Sequence, residues 1–438
     1  MPSPADVRVV PDTAAGGAPQ PSVPSMGRAS ATLAGAMLIA SAANYLLNLC
    51  LARWMSPDEF GDANLMVTLM LACSAVAVAL QLLTARRVST TGDDAGQAGD
   101  SHAGVRRQSL RRAWIIGGVI GSVVVIGAPT LRTATSSASA VPFVILAVGI
   151  PMYLAQAVER GVLQGQLRFG RLALTFLVEA ATRLAATLGA VALGFGVVGA
   201  TTGLSISFLA SWSAARPTRP PTTAVANSRT TSRTTLRSDT NGLARRAAGA
   251  TSILLLAQII INNGDVVLAK IMFDADSAGV YAVVALIGRG VFFLTWSIVM
   301  AAFPMAARDG SRAVVRRAVL MVATLSATAT AAVAIVMPRL TGVIFGDEYL
   351  SASGEFARYA VATSLFAVAN VIATLELASG RGTAAAVVLF GAVAQTAVLL
   401  TAGSPTAMVD VQIGAMGAVS AATIIVFLRS APRAGARA

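Results

Sequence analysis

The chain has 438 residues, 55% of them apolar and only 12% charged, about half the charged share of an ordinary soluble protein. That balance excludes a soluble enzyme and indicates an all-α integral membrane protein. The formal charge of +13 would suit a nucleic-acid binder, but no nucleic-acid partner is expected, because the arginines are sorted by loop.

Residues 1–29 are rich in Pro, Ala, Gly and Ser, a composition that predicts a disordered cytoplasmic tail. They lack the basic start and short apolar core of a cleaved signal peptide. Met26-Gly27-Arg28 directly precedes the first span, so a start at Met26 is an alternative that amino-terminal mass determination decides. About twelve apolar stretches then follow that are long enough to cross a bilayer, each needing roughly 20 residues. The first six are 32–52, 63–83, 113–131, 141–158, 172–195 and 197–214. The second six are 251–272, 278–303, 313–337, 357–378, 383–401 and 407–428. They divide into two pseudo-symmetric six-helix lobes, 30–214 and 248–428. Between the lobes, 215–247 is a Pro/Thr/Ser/Arg-rich linker that cannot form a packed core, and 429–438 is a short basic tail.

In the first span Asn44 and Asn48 stand at i, i+4 and share a helix face. Such amides either tie helices together or contact a ligand. Ser56-Pro57-Asp58-Glu59 then turns the chain, with Ser56 and Glu59 spaced as a capping box and Pro57 at the first helical position. Cys50 and Cys73 read as small buried hydrophobes. The loop from Thr90 to Gln108 is polar and holds His102, the sole histidine, so no zinc cluster or histidine-based triad can be assembled. In the fifth span Glu179 and Arg183 stand at i, i+4, with Arg183 roughly 16 Å deep, near the midplane of a core about 30 Å thick. They are either a self-neutralised pair or part of a transport path.

The seventh span carries Asn262, Asn263 and Asp265, and the eighth carries Arg289. Ionisable groups inside a membrane are functional candidates. Asp265 lies about 10 Å and Arg289 roughly 16 Å below one boundary, close enough for the guanidinium to reach the carboxylate. The pair either holds two helices together or faces a wet cavity where Arg289 takes a phosphate and Asp265 controls its availability. The same region echoes the first turn. Leu51, Ala52, Arg53, Met55, Gly61 and Ala63 recur as Leu268, Ala269, Lys270, Met272, Gly279 and Ala282, which suggests two related halves. Glu376 and Asp410 fall near span ends, where carboxylates can snorkel.

With the amino terminus placed inside, the inner loops receive most arginines, including Arg86, Arg87, Arg106, Arg107, Arg111, Arg112, Arg160, Arg168, Arg316 and Arg317. The outer loops keep Arg53, Arg132, Lys270, Arg339 and Arg358. This is the positive-inside pattern, and it puts both termini in the cytoplasm. Lys270, the sole lysine, fits a GC-rich genome better than a function.

Several runs resemble the polysaccharide flippases of the multidrug/oligosaccharidyl-lipid/polysaccharide (MOP) exporter superfamily. They are Asn44-Tyr45-Leu46-Leu47-Asn48 with Leu51-Ala52-Arg53, Ser56 through Gly61, Arg160-Gly161-Val162-Leu163-Gln164-Gly165, Asp265-Val266-Val267-Leu268, Gly279-Val280-Tyr281-Ala282 and Phe345-Gly346-Asp347-Glu348-Tyr349. The resemblance covers roughly residues 30–428. It implies that spans one, two, seven and eight line a cavity between the lobes. It also implies a flippase in a bacterial cytoplasmic membrane that moves a polyprenyl-pyrophosphate-linked oligosaccharide from the inner to the outer leaflet. In that role Arg289 and then Arg183 would meet the phosphates, and Asn44, Asn48, Asn262 and Asn263 the sugar hydroxyls. No enzymatic activity or cofactor is expected. Any coupling would be to H+ or Na+, with Asp265 or Glu179 as the proton carrier. Expected partners are the lipid-linked glycan, membrane lipids and other glycan-assembly membrane proteins. The competing expectations are a cation-coupled exporter of drugs or metabolites from the same superfamily, with a more acidic cavity, and a non-transport membrane component of glycan assembly.

Overall fold

The computed structural model describes residues 26–90, 98–216, 239–309 and 312–430. Among these, twelve α-helices and one short 3-10 turn account for the regular structure. The first half comprises α1 (Met26–Trp54), α2 (Pro57–Thr90), α3 (Ala98–Ala134), α4 (Val141–Gly165), α5 (Phe169–Ala192) and α6 (Gly196–Ala215). The second comprises α7 (Asp239–Met272), α8 (Ala275–Asp309), α9 (Arg312–Ile344), α10 (Glu355–Ala378), α11 (Thr383–Leu399) and α12 (Pro405–Arg429). Eleven are long and apolar enough to cross a membrane, while α11 is a shorter apolar helix of 17 residues. An all-helical chain is what hydrocarbon demands, since each helix satisfies its own backbone. Residues 1–25, 217–238 and 431–438, with most of the expected tails and linker, lie outside the described residues. The end of the expected linker is helical, because α7 begins at Asp239.

Two local expectations are corrected. The polar stretch before Gln108 is helical from Ala98, and His102 Nε2 lies 3.0 Å from the Val88 carbonyl oxygen. At the first turn Pro57 does open α2, but the Ser56 hydroxyl donates to Asp58 Oδ1 at 2.5 Å. In the matching turn before α8 the Ser277 N–H donates to Asp274 Oδ1 at 2.9 Å, and that bond holds the Asp274 carboxyl below the usual aspartate range.

Helices α1–α6 pack chiefly on one another, as do α7–α12, and α2 makes most of the contact across, to α7 and α8. α10 is the most enclosed span, while α3 and α9 are peripheral, with side chains such as Ile126 and Val343 exposed as lipid-facing residues would be. One apolar cluster spans both halves at the end of the bundle that carries the α1–α2 and α7–α8 turns. It includes Leu51, Phe60, Ala282, Phe345 and Phe356. There the echoed glycines meet. A Cβ on Gly61 would lie 3.2 Å from Gly279 Cα, and a Cβ on Gly279 would lie 1.7 Å from the Pro57 carbonyl oxygen. Equivalent residues touch where a twofold axis passes between them, and only hydrogen fits at Gly279.

Beside this contact lies Lys270, which the loop sorting had placed at the outer surface. It is 1% exposed, with Nζ 2.8 Å from Asp62 Oδ1 and 3.4 Å from the Asp58 carbonyl oxygen. Asp62 also accepts from Ser137 Oγ at 2.8 Å and from the Ala138 N–H at 3.3 Å. The pair joins α7 to α2, one half to the other. Removing one partner of a buried pair leaves an unpaired charge and costs about 3–5 kcal/mol. Lys270→Met is therefore expected to lower the thermal unfolding midpoint of the detergent-solubilised protein, and adding Asp62→Asn to restore most of the loss.

Candidate functional site

Between the halves lies a cavity of about 610 Å³, within the range of ligand sites. Its walls are mostly apolar, from residues such as Leu47, Met66, Met70, Leu204 and Leu286. Polar groups come from six helices, among them Asn44 and Asn48 on α1, Asn64 on α2, Arg183 and Thr187 on α5, Thr201 on α6, Asn263 on α7 and Arg289 on α8. Among the described residues no aspartate or glutamate lines it. Spans one, two, seven and eight thus contribute as the resemblance implied, joined by α5 and α6. Leu38 and Ser41 of α1, with Phe293, Leu294 and Ser297 of α8, line the cavity and are themselves exposed. The cavity therefore opens between these two helices. Toward the turn-bearing end the gap closes, where Tyr45 donates to the Leu286 carbonyl oxygen at 3.4 Å.

Arg183 is 8% exposed and reaches the cavity from a fixed mount. Its Nη1 donates to Asn44 Oδ1 at 3.1 Å, its Nε to Ser207 Oγ at 3.3 Å, and its Nη2 pairs with Glu179 one turn earlier. The i, i+4 pair therefore forms, with Glu179 behind Arg183 and outside the lining. Glu179 is shared. Arg160 Nη2 reaches its Oε2 at 2.7 Å and Gln156 Nε2 the same oxygen at 2.5 Å. Arg160, assigned to an inner loop from sequence, is buried at 6% exposure, because α4 continues to Gly165. It also donates to Thr175 Oγ1 at 3.0 Å, the Thr175 carbonyl oxygen at 3.1 Å and Ser211 Oγ at 3.1 Å. Buried charge persists only when paired and hydrogen-bonded in this way.

Arg289 is 7% exposed, and its Nη2 lies 3.3 Å from Asp265 Oδ1, the pair expected from their depths. Asp265 is fully buried and outside the lining. Its Oδ2 accepts from Tyr281 Oη at 2.9 Å and from Tyr359 Oη. In the sequence Tyr281 is visible only as part of the family-like run Gly279-Val280-Tyr281-Ala282, and Tyr359 reads as core, since an aromatic among apolar residues does. Arg289 Nε has no protein partner.

Asn48 lines the cavity and donates to the Asn44 carbonyl oxygen at 2.8 Å, and Asn263 lines it and donates to the Ile259 carbonyl oxygen at 3.0 Å. Asn262 is not among the lining residues. It is buried, and its Nδ2 donates to the Gln258 carbonyl oxygen at 3.0 Å. Asn64 went unnoticed at a span edge, yet it lines the cavity, and its Nδ2 has no protein partner. Glu376 is not a snorkelling residue, because it is fully buried and paired with Arg381 at 2.8 Å, whereas Asp410 is exposed and pairs with Arg358.

A family model described as polysaccharide biosynthesis protein matches residues 27–308. The chain belongs to the polysaccharide biosynthesis protein family. Solved structures place this family member in the MOP fold. It is similar to the inward-facing conformation of a multidrug resistance MATE family transporter of the MOP superfamily, at 15% identity and a TM-score of 0.70, covering 91% of this chain and 96% of the other. The outward-facing conformation of such a transporter aligns with a TM-score of 0.62 at 15% identity, covering 92% and 95%. A MOP superfamily transporter from Pyrococcus furiosus, described by the reverse polarity of its binding pocket, aligns at 14% identity with a TM-score of 0.57, covering 92% and 95%. No curated protein sequence matches the chain.

The two members of the α5 charge cluster separate by role in this polysaccharide biosynthesis protein. Arg160, on α4, is enclosed and also holds Thr175 and Ser211, while Arg183, on α5, faces the cavity. Arg160→Met is expected to cost about 3–5 kcal/mol, as loss of one partner from a buried ionic set does. Arg183→Gln should cost less than half of that, because Glu179 keeps Arg160 and Gln156. Thermal unfolding of the two purified variants checks the order.

Proposed function

We propose that this protein is a flippase for a lipid-linked oligosaccharide, moving a polyprenyl-pyrophosphate-linked glycan from the inner to the outer leaflet by alternating access. The observation that carries the reading is the cavity lining, in which Arg183 and Arg289 enter from different halves among four asparagines and no carboxylate. A diphosphate headgroup cannot enter hydrocarbon unaided, since burying unpaired charge is prohibitive. Arginine is suited to it, with several N–H donors in a fixed fork. The asparagines suit sugar hydroxyls, and a lateral passage at the opening between α1 and α8 would let the polyprenyl tail remain in lipid.

The membrane would be the bacterial cytoplasmic membrane, with both termini inside, because the arginine-rich loops lie at the end away from the α1–α2 and α7–α8 turns. With the turn-bearing end sealed, the described state would face the cytoplasm. The higher TM-score against the inward-facing MATE structure than the outward-facing one supports that direction. Family membership in polysaccharide biosynthesis supports a glycan substrate. Export of cationic drugs is disfavoured by a lining that presents guanidiniums and no acid. For the Pyrococcus furiosus transporter, reverse pocket polarity is taken to suggest a different function, and the charge of this cavity argues in the same sense.

In a deletion strain complemented with Arg289→Ala or Arg183→Ala, surface polysaccharide is expected to fall at least about ten-fold, which equals a loss of about 1.4 kcal/mol of stabilisation or more. Lipid-linked glycan should accumulate on the inner leaflet while protein abundance is unchanged. Wild-type export by both variants at normal abundance would sink the assignment of the phosphate contacts.

A further inference from the structure

The two halves hold their cavity arginines on different electrical terms. On the α5 side Arg160 and Arg183 share one carboxylate, Glu179. On the α8 side Arg289 faces one carboxylate, Asp265. Three guanidiniums against two carboxylates leave one positive charge in excess. The neighbouring pairs, half-buried Arg106 with Glu159 and buried Lys270 with Asp62, are each neutral and do not alter the tally. A disubstituted diphosphate carries two negative charges. Entering the cavity as it stands, it would leave one negative charge uncompensated in a medium where charge is expensive.

Asp265 is placed to remove that mismatch. The titratable groups that face it are Tyr281 and Arg289 of α8 and Tyr359 of α10. From the other helices packed on α7, Asp62 of α2 is committed to Lys270, and α11 presents the amide of Gln395 to the Ile261 carbonyl oxygen, with Gln412 of α12 behind it. Arg289 is thus the sole cation beside Asp265 among the described residues. If Arg289 turns to a phosphate, the carboxylate is left buried without a counter-charge, and such a group is kept by neutralisation. A tyrosine hydroxyl both donates and accepts. Tyr281 and Tyr359 donate to the carboxylate, and one of them can turn to accept from the carboxylic acid, so Asp265 stays hydrogen-bonded in both states.

We propose that capture of a diphosphate by Arg289 is coupled to uptake of one proton by Asp265, so that the headgroup is held as a charge-neutral complex. This rests on the flippase reading of the same cavity. Arg289 Nη2 leaves Asp265 Oδ1 for a phosphate oxygen, and a proton from water goes onto the carboxylate. Excess positive charge rises to two and matches the two phosphate charges. When the anion leaves, Arg289 closes back on Asp265 and the proton returns to water.

The test is isothermal titration of the purified full chain with a short-chain prenyl diphospho-N-acetylglucosamine, whose two phosphates are fully ionised at neutral pH. Titrations in two buffers of different protonation heat, at one pH, count the protons taken up. With one histidine in the chain, few other side chains titrate near neutrality. The native chain should take up one proton per probe bound, and its affinity should weaken about ten-fold for each pH unit of rise. Asp265→Asn should bind with no proton uptake and a flat pH dependence. Binding by the native chain without proton uptake overturns the coupling and leaves the flippase reading intact, and this measurement needs no variant to fold. Uptake of one proton by Asp265→Asn also overturns it, because the proton then sits elsewhere. Absence of any binding by the native chain overturns the coupling and the flippase reading together.

Discussion

Charge inside hydrocarbon must be matched where it stands, because water is absent to do it. That constraint decides which helices of this protein are joined. Arg106 with Glu159 ties α3 to α4, Arg160 with Glu179 ties α4 to α5, and Asp265 with Arg289, Tyr281 and Tyr359 ties α7 to α8 and α10. Each of these stays within one half and can move as a unit with it. Lys270 with Asp62 is the exception, since it reaches from α7 to α2 across the interface. The apolar surface of each half is interchangeable with lipid, so it does little to specify which helix meets which. The ionic groups do specify it, at the cost of enclosing charge.

Much of this was legible in the sequence, for identifiable reasons. Span positions follow from apolar length, and depth follows from the rise per residue. Two pairs could be anticipated, Glu179 with Arg183 because they share a helix face and Asp265 with Arg289 because their depths agree. The azimuth of each side chain about its helix does not follow from depth, and that is where the reading stopped. Asn262 and Asn263 are adjacent in sequence, yet only Asn263 lines the cavity. Arg160 was lost because the Gly-containing run after it looked like a turn, whereas α4 continues through it. Lys270 was lost because a lysine near a span end is normally a rim residue, and its partner Asp62 lies in another helix. Tyr281 lies in a family-like run and Tyr359 in none, but neither run nor composition points to their hydroxyls, which matter only once Asp265 is known to be beside them.

The internal repeat extends to the backbone and stops short of the chemistry. Gly61 and Gly279 meet as twofold-related residues would. The cavity arginines sit on α5 and α8, which are not equivalent helices of the two halves. The counterpart of α5 in the second half is α11, a short helix carrying the amide Gln395 where α5 carries an ionic pair. A duplicated scaffold has thus been charged unevenly. One wall offers a guanidinium in a set with excess positive charge, and the other offers one that is already neutralised. On the flippase reading, such a cavity would have its preferred first contact for an anion at Arg183, while a second contact, at Arg289, would require a partner to be given up.

The Lys270–Asp62 pair, a latch between the halves, and the cavity share the same helices a turn or two apart. On α2, Asp62 holds the interface and Asn64 faces the cavity. On α7, Lys270 holds the interface and Asp265 supports Arg289. On the alternating-access reading, rocking of one half against the other would part Lys270 from Asp62 at the turn-bearing end. In the closed state both groups are dry and their separation would be costly, but opening admits water to the gap it creates, and hydrated ions lose little by parting. The glycine contact beside them carries no side chain that must be repacked. On the alternating-access reading, the barrier to opening therefore lies less in the latch itself than in wetting the apolar cluster around Phe60 and Ala282. On the same reading a bound headgroup would part Arg289 from Asp265 and leave the other ionic pairs within each half undisturbed during that step.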